Sequence, residues 1–242
     1  MKIIKLNAID STNNYLKQLS NEVSLKNYTV VTTDYQTNGK GQIQNSWHSA
    51  KGKNLLFSML VKFNDLKIKD QAYLNFAISI AVYKVIRSYI KKVKIKWPND
   101  IMSEQNKICG ILIENSVKSG TINKSIIGIG LNVNQVNFPK NLSHVTSLQK
   151  ELKIEIDRDK LLIELINSIT SEIETLNNKS FSEIYNYYKL NLYKIEEPCL
   201  FKTSANKVFS GKITGVSNQG KLQVITENNV VKEFEVKEIS LI

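Results

Sequence analysis

The sequence predicts an α+β fold with a small β domain at its C-terminal end. Runs rich in β-branched and aromatic residues, which favour strands, alternate with two long segments, 70–90 and 157–176, whose apolar residues recur at helical spacing. From about Ile195 the pattern changes to short alternating runs separated by pairs typical of tight turns. We therefore expect a mixed β-sheet flanked by helices in residues 1–190 and a small SH3-like β-barrel in residues 191–242.

The composition argues against several classes of chemistry. No apolar run approaches the roughly 20 residues that span a bilayer, and the first residues resemble a strand rather than a signal peptide. Cys109 and Cys199 are too few for a disulfide framework or a zinc cluster, which favours a reducing cytoplasm. The only histidines are His48 and His144, and neither stands at a recognisable spacing from a cysteine. We therefore do not expect histidine or thiol catalysis.

The formal charge of +11 leaves a nucleic-acid partner open. Arg87 and Arg158 are the only arginines, however, and arginine is the usual residue for reading guanine and gripping phosphate. Residues 191–242 carry 7 Lys against 6 Glu, so the positive charge is not concentrated in the predicted barrel. A basic nucleic-acid-binding protein is kept as the non-enzyme alternative, and no membrane partner is expected.

The chain begins with a strand and a helix. The strand is expected over Met1–Ala8, and the helix opens within Asp10–Asn14. Ser11 or Asp10 can cap this helix through a side-chain oxygen. The same helix N-terminus, with its free N–H groups, also suits a carboxylate or a ureido oxygen, and the two roles are compatible. The next predicted elements are strands at Tyr28–Tyr35 and Leu55–Val61 and a helix at Asp70–Ile90.

A hairpin with an unusual turn lies in the middle of the chain. Residues 93–97 alternate apolar side chains with lysines, as in a half-buried strand, and Pro98 ends that strand because proline has no N–H for the ladder. Asn99-Asp100 suits a turn. The apolar run 107–114 then predicts the return strand, so that Lys107 begins the second strand of a single hairpin. Composition alone makes this hairpin core with a solvated lysine face.

The remaining elements carry turn and cap signals. Residues 125–134 predict a buried strand whose glycines let a ligand or another backbone approach closely. Asp157 is expected to cap the second long helix, and residues 180–183 have the sequence of a capping box. Gln219-Gly220 and Asn228-Asn229 supply tight turns in the C-terminal region.

Four separate motifs, in order along the chain, resemble those of biotin protein ligases. KWPND is the most specific of them, because it is long and contains both Trp and Pro. The matching segments are D-S-T-N at 10–13, the G-K-G loop at 36–47, KWPND with K-x-x-G-I-L-x-E at 96–114, and G-I-G-x-N-V-N at 128–134.

The resemblance implies a catalytic domain like those of class II aminoacyl-tRNA synthetases and biotin ligases, and a two-step reaction. Biotin's carboxylate attacks the α-phosphorus of ATP, and a lysine of a biotin carboxyl carrier domain then attacks the resulting biotinyl-5'-AMP. Such an enzyme supplies positioning and positive charge rather than a nucleophile. Since the first strand begins at Met1, we expect a short form without the helix-turn-helix domain of the repressor-type members, and no sequence-specific DNA binding.

Site residues are carried over from the matching motifs. Lys107 and Lys40 are the candidate catalytic residues. Asp100 is a candidate ligand of Mg²⁺, which prefers carboxylate, water and phosphate oxygens, although bonding to its own turn is equally open. The candidate biotin-binding residues are Ser11, Thr12, Asn13, Gln36, Gly39, Lys40, Gly41, Lys107 and Gly110. The candidate ATP-binding residues are Gln42, Trp47, Asn99 and Asn132.

The glycine loop departs from the family pattern. Lys40 and Gln42 stand where arginines are usual, and Gln44 stands where a glycine is usual. Gln42 can donate hydrogen bonds but cannot neutralise a phosphate, so we expect weaker retention of the unattached adenylate.

A lipoate protein ligase is the alternative enzyme, because it shares the fold and the adenylation step. Its usual double-arginine and G-G-G-x-V-x-H-x-D segments have no match in this chain. Ser11, Thr12 and Gln36 offer the polar partners that biotin's ureido ring needs and a dithiolane does not. Whether the chain forms a homodimer through an exposed sheet edge is left open.

Overall fold

The computed structural model describes residues 2–42, 45–140 and 142–242. The helices are α1 (Thr12–Glu22), α2 (Gln71–Tyr89), α3 (Leu148–Leu152), α4 (Arg158–Asn177) and α5 (Phe181–Leu190). The strands of the larger sheet are β1 (Lys2–Leu6), β2 (Thr29–Thr33), β3 (Leu55–Lys67), β4 (Val93–Lys96), β5 (Asp100–Ser103), β6 (Asn106–Lys118) and β7 (Thr121–Leu131). The strands of the smaller sheet are β8 (Pro198–Thr203), β9 (Val208–Val216), β10 (Leu222–Thr226), β11 (Val231–Phe234) and β12 (Ile239–Leu241).

The larger sheet has seven strands in the order β1-β2-β3-β7-β6-β5-β4. The pair β1–β2 is parallel, and every other neighbouring pair is antiparallel. Helices pack on both of its faces, as the sequence predicts for the mixed sheet.

Successive residues of the central strands serve two different cores. Val30 and Met59 belong to the large core that also contains buried residues of α2, α4 and α5, whereas Val31 and Leu60 pack with Leu16 of α1. Side chains alternate between the two faces of a strand, and here both faces are covered, which explains why successive residues of these strands are buried. The helix α1 packs on β2, β3 and β7.

The middle of the chain contains two hairpins, not the single one expected. The strand β5 pairs with β4 on one side and with β6 on the other. The first hairpin turns at residues 97–99, which include the cis peptide Trp97-Pro98, and the second turns at 104–105. The sequence does not predict β5 as a strand, because its four residues are too few to show the alternation of apolar and polar side chains that marks a strand. Its first residue, Asp100, lies opposite Gly110 of β6.

Only one of the predicted side-chain caps forms. Asp157 accepts hydrogen bonds from the backbone N–H groups of Asp159 and Lys160, which confirms the cap of α4. Ser180 accepts no cap bond, so the capping-box prediction is wrong; its φ of -73° and ψ of 49° differ from the extended backbone that a capping residue usually adopts. Ser11 stands at the cap position of α1 without capping it. The short helix α3 was not expected at all.

The C-terminal strands pair antiparallel in the order β11-β10-β9-β8-β12. Phe201, Phe209 and Phe234 stack across this sheet. Within the described residues the ladder ends at β11 and β12, so a five-stranded sheet is observed rather than a closed barrel. The Trp97 Nε1 donates to the Gly220 carbonyl at 2.9 Å and ties the first hairpin to this sheet. Among the helices of the described ranges, none is long and apolar enough to cross a membrane.

Candidate active site

Most of the predicted site residues line one cavity of about 250 Å³. Those that do so are Ser11, Thr12, Asn13, Gln36, Lys40, Gly41, Gln42, Trp47, Asn99, Asp100, Lys107 and Gly110. Gly39 and Asn132 lie outside this lining. Gly39 borders a neighbouring cavity behind the glycine loop. Asn132 is buried, and its Nδ2 donates to the Thr146 carbonyl at 3.0 Å, so it fixes the segment that follows β7.

The floor of the cavity is made by glycines of β6 and β7. Gly110 and Gly130 lie opposite each other in the ladder, and the Trp47 indole lies against both. A Cβ on Gly130 would come within 2.5 Å of Trp47 Cε2, and a Cβ on Gly110 within 2.9 Å of Trp47 Cζ3. The indole can therefore occupy this place only because both positions lack a side chain. Its Nε1 is buried and has no hydrogen-bond partner among the described residues, so it remains available as a donor.

Lys107 is held by backbone on both sides. Its N–H donates to the His144 carbonyl at 2.8 Å, and its carbonyl accepts from the Thr146 N–H at 3.0 Å. The Lys107 Nζ lies 2.7 Å from Asp100 Oδ1 and 5.4 Å from the centroid of the Trp47 ring. Asp100 Oδ1 is shielded from solvent without an aligned hydrogen bond, so this contact is an ion pair and not a well-formed hydrogen bond. The ammonium is thus fixed at the cavity wall.

Lys40 occupies a different setting at the rim. Its side chain is exposed, and its Nζ donates to Asn14 Oδ1 at 2.8 Å. Asn14 in turn donates to Asp10 Oδ2 at 2.9 Å. This hydrogen bond from Asn14 lowers the pKa of Asp10, with a smaller contribution from the Lys40 charge. The ammonium of Lys40 is therefore engaged with the first turn of α1.

The part of the cavity wall formed by Thr12, Asn13 and Gln36 is polar and uncharged, whereas the Lys40 ammonium lies at the rim beside α1. Gln36 Oε1 accepts hydrogen bonds from the Thr12 backbone N–H at 2.8 Å and from Thr12 Oγ1 at 3.1 Å. Asn13 Oδ1 lies against Gly128, where an added Cβ would overlap it. Ser11, Thr12 and Asn13 are all buried. This wall can exchange hydrogen bonds with a neutral polar group.

Asn99 is bonded to the backbone of β6, and Cys109 is buried. The Asn99 Nδ2 donates to the Ile111 carbonyl at 2.7 Å, and the Ile111 N–H donates to the Asn99 carbonyl at 2.9 Å, so this turn is locked to β6. Burial raises the pKa of the Cys109 thiol, which keeps it protonated and unreactive. The expectation that chemistry here needs no thiol is consistent with this setting.

Residues 6–132 match the family of biotin/lipoate A/B protein ligases. The chain belongs to this family. The bifunctional ligase/repressor BirA of Bacillus spizizenii is 28% identical over 236 residues, which cover 96% of this chain and 72% of that protein. The biotin--[acetyl-CoA-carboxylase] ligase of Mycobacterium tuberculosis is 25% identical over 149 residues, or 60% of this chain and 53% of that protein.

The structural comparison extends over the whole chain. The biotin protein ligase from Aquifex aeolicus, in its complex with biotin and ATP, superposes with a TM-score of 0.81 and 27% identity. The match covers 100% of this chain and 98% of that one. The fold class predicted from the sequence is confirmed, with the smaller sheet in the place of the expected barrel.

The sequence predicts three departures from the family pattern in the glycine loop, at Lys40, Gln42 and Gln44. Of these residues, Lys40 and Gln42 line the cavity, and Gln44 lies outside the described residues. Val236 and Lys237, which precede β12, also line the cavity. Sequence reasoning missed them because it placed every site motif before residue 135, and no motif marks the tail. Their contribution depends on how the smaller sheet is seated against the first hairpin.

Proposed function

We propose that this protein is an ATP-dependent biotin ligase, which activates biotin as biotinyl-5'-AMP and transfers the biotinyl group to a lysine of a biotin carboxyl carrier domain. The observation that carries the proposal is the convergence of four separate motifs on one cavity, in a chain whose whole length resembles a ligase solved with biotin and ATP. Membership of the biotin/lipoate ligase family supports the same reaction.

The cavity has two chemically different ends that suit the two ends of biotin. The uncharged polar wall of Thr12, Asn13 and Gln36 suits the neutral ureido ring. Lys107, at the other end, suits the carboxylate and the α-phosphate, where negative charge accumulates during adenylation. A lysine about 4 Å from such an oxygen contributes on the order of 1 to 4 kcal/mol, depending on the local dielectric.

The ATP residues are assigned in the same way. The unpartnered Trp47 Nε1 can donate to a nucleotide oxygen, and Gln42 can donate a neutral hydrogen bond at the loop. Asn99 and Asn132 are proposed to act by shaping the nucleotide side of the cavity, since their Nδ2 groups are bonded to backbone carbonyls. Gly39, predicted to be a biotin-binding residue, is proposed to act indirectly, because a Cβ there would meet the Trp47 carbonyl oxygen and the amide of Gln36.

Asp100 is suited to bind Mg²⁺ as a single protein carboxylate together with phosphate oxygens of the substrate. It is the one carboxylate among the described lining residues, and no group of three His, Cys, Asp or Glu that could hold a metal is found in the described part of the chain. Mg²⁺ is commonly bound through one or two carboxylates together with substrate phosphates, so Asp100 with phosphate oxygens is a suitable donor set. A bound Mg²⁺ would neutralise phosphate charge there. Asp100 also holds the Lys107 ammonium in position.

We further propose that residues 1–190 and 191–242 form a catalytic domain and a small second domain. The ladders of the two sheets lie within 2–131 and within 198–241 of the described residues, which supports this division. One isolated parallel bridge, from Ile95 of β4 to Leu192, crosses the boundary. Action in the cytoplasm and a possible homodimer stay predictions of the family resemblance.

The decisive test is incubation with biotin, Mg-ATP and a biotin carboxyl carrier domain, followed by mass measurement of the carrier. We expect a gain of one biotinyl group on a single lysine, and none when ATP is left out. A parallel reaction with lipoate and a lipoyl-acceptor domain tests the alternative enzyme. Modification only in the lipoate reaction would contradict the proposed substrate, and modification in neither would contradict the enzyme.

A further inference from the structure

A chain of side-chain hydrogen bonds connects the polar wall of the cavity to a carboxylate outside it. Ser58 of β3, which is fully buried, places its Oγ 2.8 Å from Thr12 Oγ1 and 2.5 Å from Asn13 Oδ1. The Asn13 Nδ2 donates to Glu114 Oε2 at 2.9 Å. Glu114 Oε1 accepts from Lys17 Nζ at 3.0 Å. Glu114 does not line the cavity, so it can act on a ligand only through Asn13.

The carboxylate fixes the direction of every bond in this chain. An ionised carboxylate only accepts hydrogen bonds, so Asn13 must turn its amide N–H groups toward Glu114 and its Oδ1 toward Ser58. Ser58 has one proton, and the Asn13 amide oxygen takes it in the shorter of the two contacts. The 2.8 Å contact between Ser58 and Thr12 then takes the Thr12 proton, because Ser58 has no other proton to give and the alternative acceptor, Gln36 Oε1, is farther away at 3.1 Å. The Thr12 hydroxyl therefore has only lone pairs left for a ligand.

The result is a wall with a defined pattern of donors and acceptors. Thr12 Oγ1 can accept from a ligand N–H, while Gln36, whose Oε1 is already occupied, offers amide N–H groups. A cyclic urea carries N–H donors beside a carbonyl acceptor and matches this pattern. A neutral residue in place of Glu114 could present either a donor or an acceptor to Asn13, and the pattern would no longer be unique.

The surroundings of Glu114 keep it charged. Burial raises the pKa of the Glu114 carboxyl, but the hydrogen bonds from Lys17 and Asn13, together with the charges of Lys17 and Lys40, outweigh this effect and leave the pKa below its ordinary value. The group is therefore an acceptor throughout the neutral pH range.

We propose that Glu114 is a positioning residue for biotin, which sets the donor–acceptor polarity of the chain Asn13–Ser58–Thr12 and thereby makes the Thr12 hydroxyl an acceptor for a ureido N–H. This inference rests on the proposed function, because it assigns the polar wall to the ureido ring. It adds a specificity role to a residue that makes no contact with the cavity.

The test compares Glu114→Gln with wild type in the full-length protein. Dissociation constants are measured by calorimetry for biotin and for a biotin analogue methylated on its ring nitrogens, which cannot donate to Thr12. We expect Glu114→Gln to bind biotin about tenfold more weakly, as for the loss of one well-placed hydrogen bond. It should bind the methylated analogue as wild type does, and the KM for ATP should stay unchanged.

Two further variants separate positioning from simple structural support. Lys17→Met removes the ion pair but leaves the acceptor that faces Asn13, so biotin binding should stay within about twofold of wild type. Ser58→Ala cuts the chain between Asn13 and Thr12 without touching Glu114. It should lose the same discrimination between biotin and the methylated analogue, and it serves as the test if Glu114→Gln does not fold, as judged by thermal melting.

The outcomes are distinct. Wild-type biotin affinity in Glu114→Gln overturns the inference, and so does an equal weakening of both ligands or an equal loss in Lys17→Met. Failure of the wild-type protein to bind biotin at all overturns the proposed function, and the inference falls with it. Selective loss for biotin in Glu114→Gln and Ser58→Ala supports the inference.

Discussion

The β5–β6 hairpin and the glycine loop each bring one predicted catalytic lysine to the cavity, but they hold it differently. Lys107 lies in a strand whose backbone is bonded on both sides, and its ammonium is 2.7 Å from Asp100. Lys40 lies on an exposed loop, and its ammonium is bonded to Asn14 on α1. Preorganised charge stabilises a transition state because no reorganisation is needed when the reaction occurs. The same residue type, given the same role by sequence, is therefore expected to matter more in the hairpin.

Loss of Lys107 should have the largest effect. Lys107→Ala removes the cation fixed at the reacting carboxylate and phosphate, so pyrophosphate release should fall by much more than the tenfold that about 1.4 kcal/mol represents. The melting temperature should change little, because the side chain lies at a cavity wall and not in the core.

Lys92→Ala is the matched control for Lys107→Ala. Its ammonium forms an exposed ion pair with Glu104 at 2.6 Å, of the kind that contributes little to stability. Neither activity nor melting temperature should change. Equal activity losses in the two variants would mean that general positive charge, and not the hairpin site, explains the result.

Substitution of the glycines beneath Trp47 should have the next largest effect on adenylation. In Gly130→Ala the new Cβ would approach Trp47 Cε2 to 2.5 Å and displace the indole, so adenylation should fall about tenfold or more. Gly120→Ala is the control, because nothing lies within 4 Å of its Cβ, although its φ of 73° disfavours a side chain. It should lower the melting temperature but keep activity. Normal activity in Gly130→Ala, with Trp47 still in place, would contradict the role of this floor.

Lys40→Ala should cost less than Lys107→Ala. Since its ammonium is shared with Asn14 and exposed to solvent, we expect a loss of about two- to fivefold in pyrophosphate release. The two variants are compared at saturating biotin and ATP. A loss at Lys40 as large as that at Lys107 would reverse the comparison and make the loop the main source of charge.

The smallest expected effect is a gain in retention of the adenylate. Gln42→Arg adds a fixed cation to the cavity lining, so the unattached adenylate should dissociate a few-fold more slowly. To measure the release rate, the protein loaded with adenylate is diluted rapidly and the free biotinyl-5'-AMP is determined over time. An unchanged release rate would mean that this position does not govern retention.

Much of the site could be predicted because short motifs specify local backbone and chemistry. KWPND and the following strand pointed to Asp100, Lys107 and Gly110, and all three line the cavity. Runs of apolar and β-branched residues likewise identified the long strands, and apolar residues at helical spacing identified the long helices, because these elements bury one or both of their faces.

What could not be predicted depends on contacts between distant parts of the chain. Glu114 reaches Asn13 across 101 positions, and no local pattern specifies which amide a carboxylate will meet. The direction taken by the Lys40 side chain depends on where α1 packs. Val236 and Lys237 reach the cavity only because the smaller sheet is seated against Trp97.

The most direct measurement is the amount of biotinyl-5'-AMP formed per protein molecule in a single turnover, with biotin and Mg-ATP but no acceptor, stopped by acid. Wild type and Lys40→Ala should both form the adenylate, with Lys40→Ala only a few-fold slower, whereas Lys107→Ala should form almost none on the same time scale. Absence of adenylate in wild type, or equal formation in wild type and Lys107→Ala, would contradict the account.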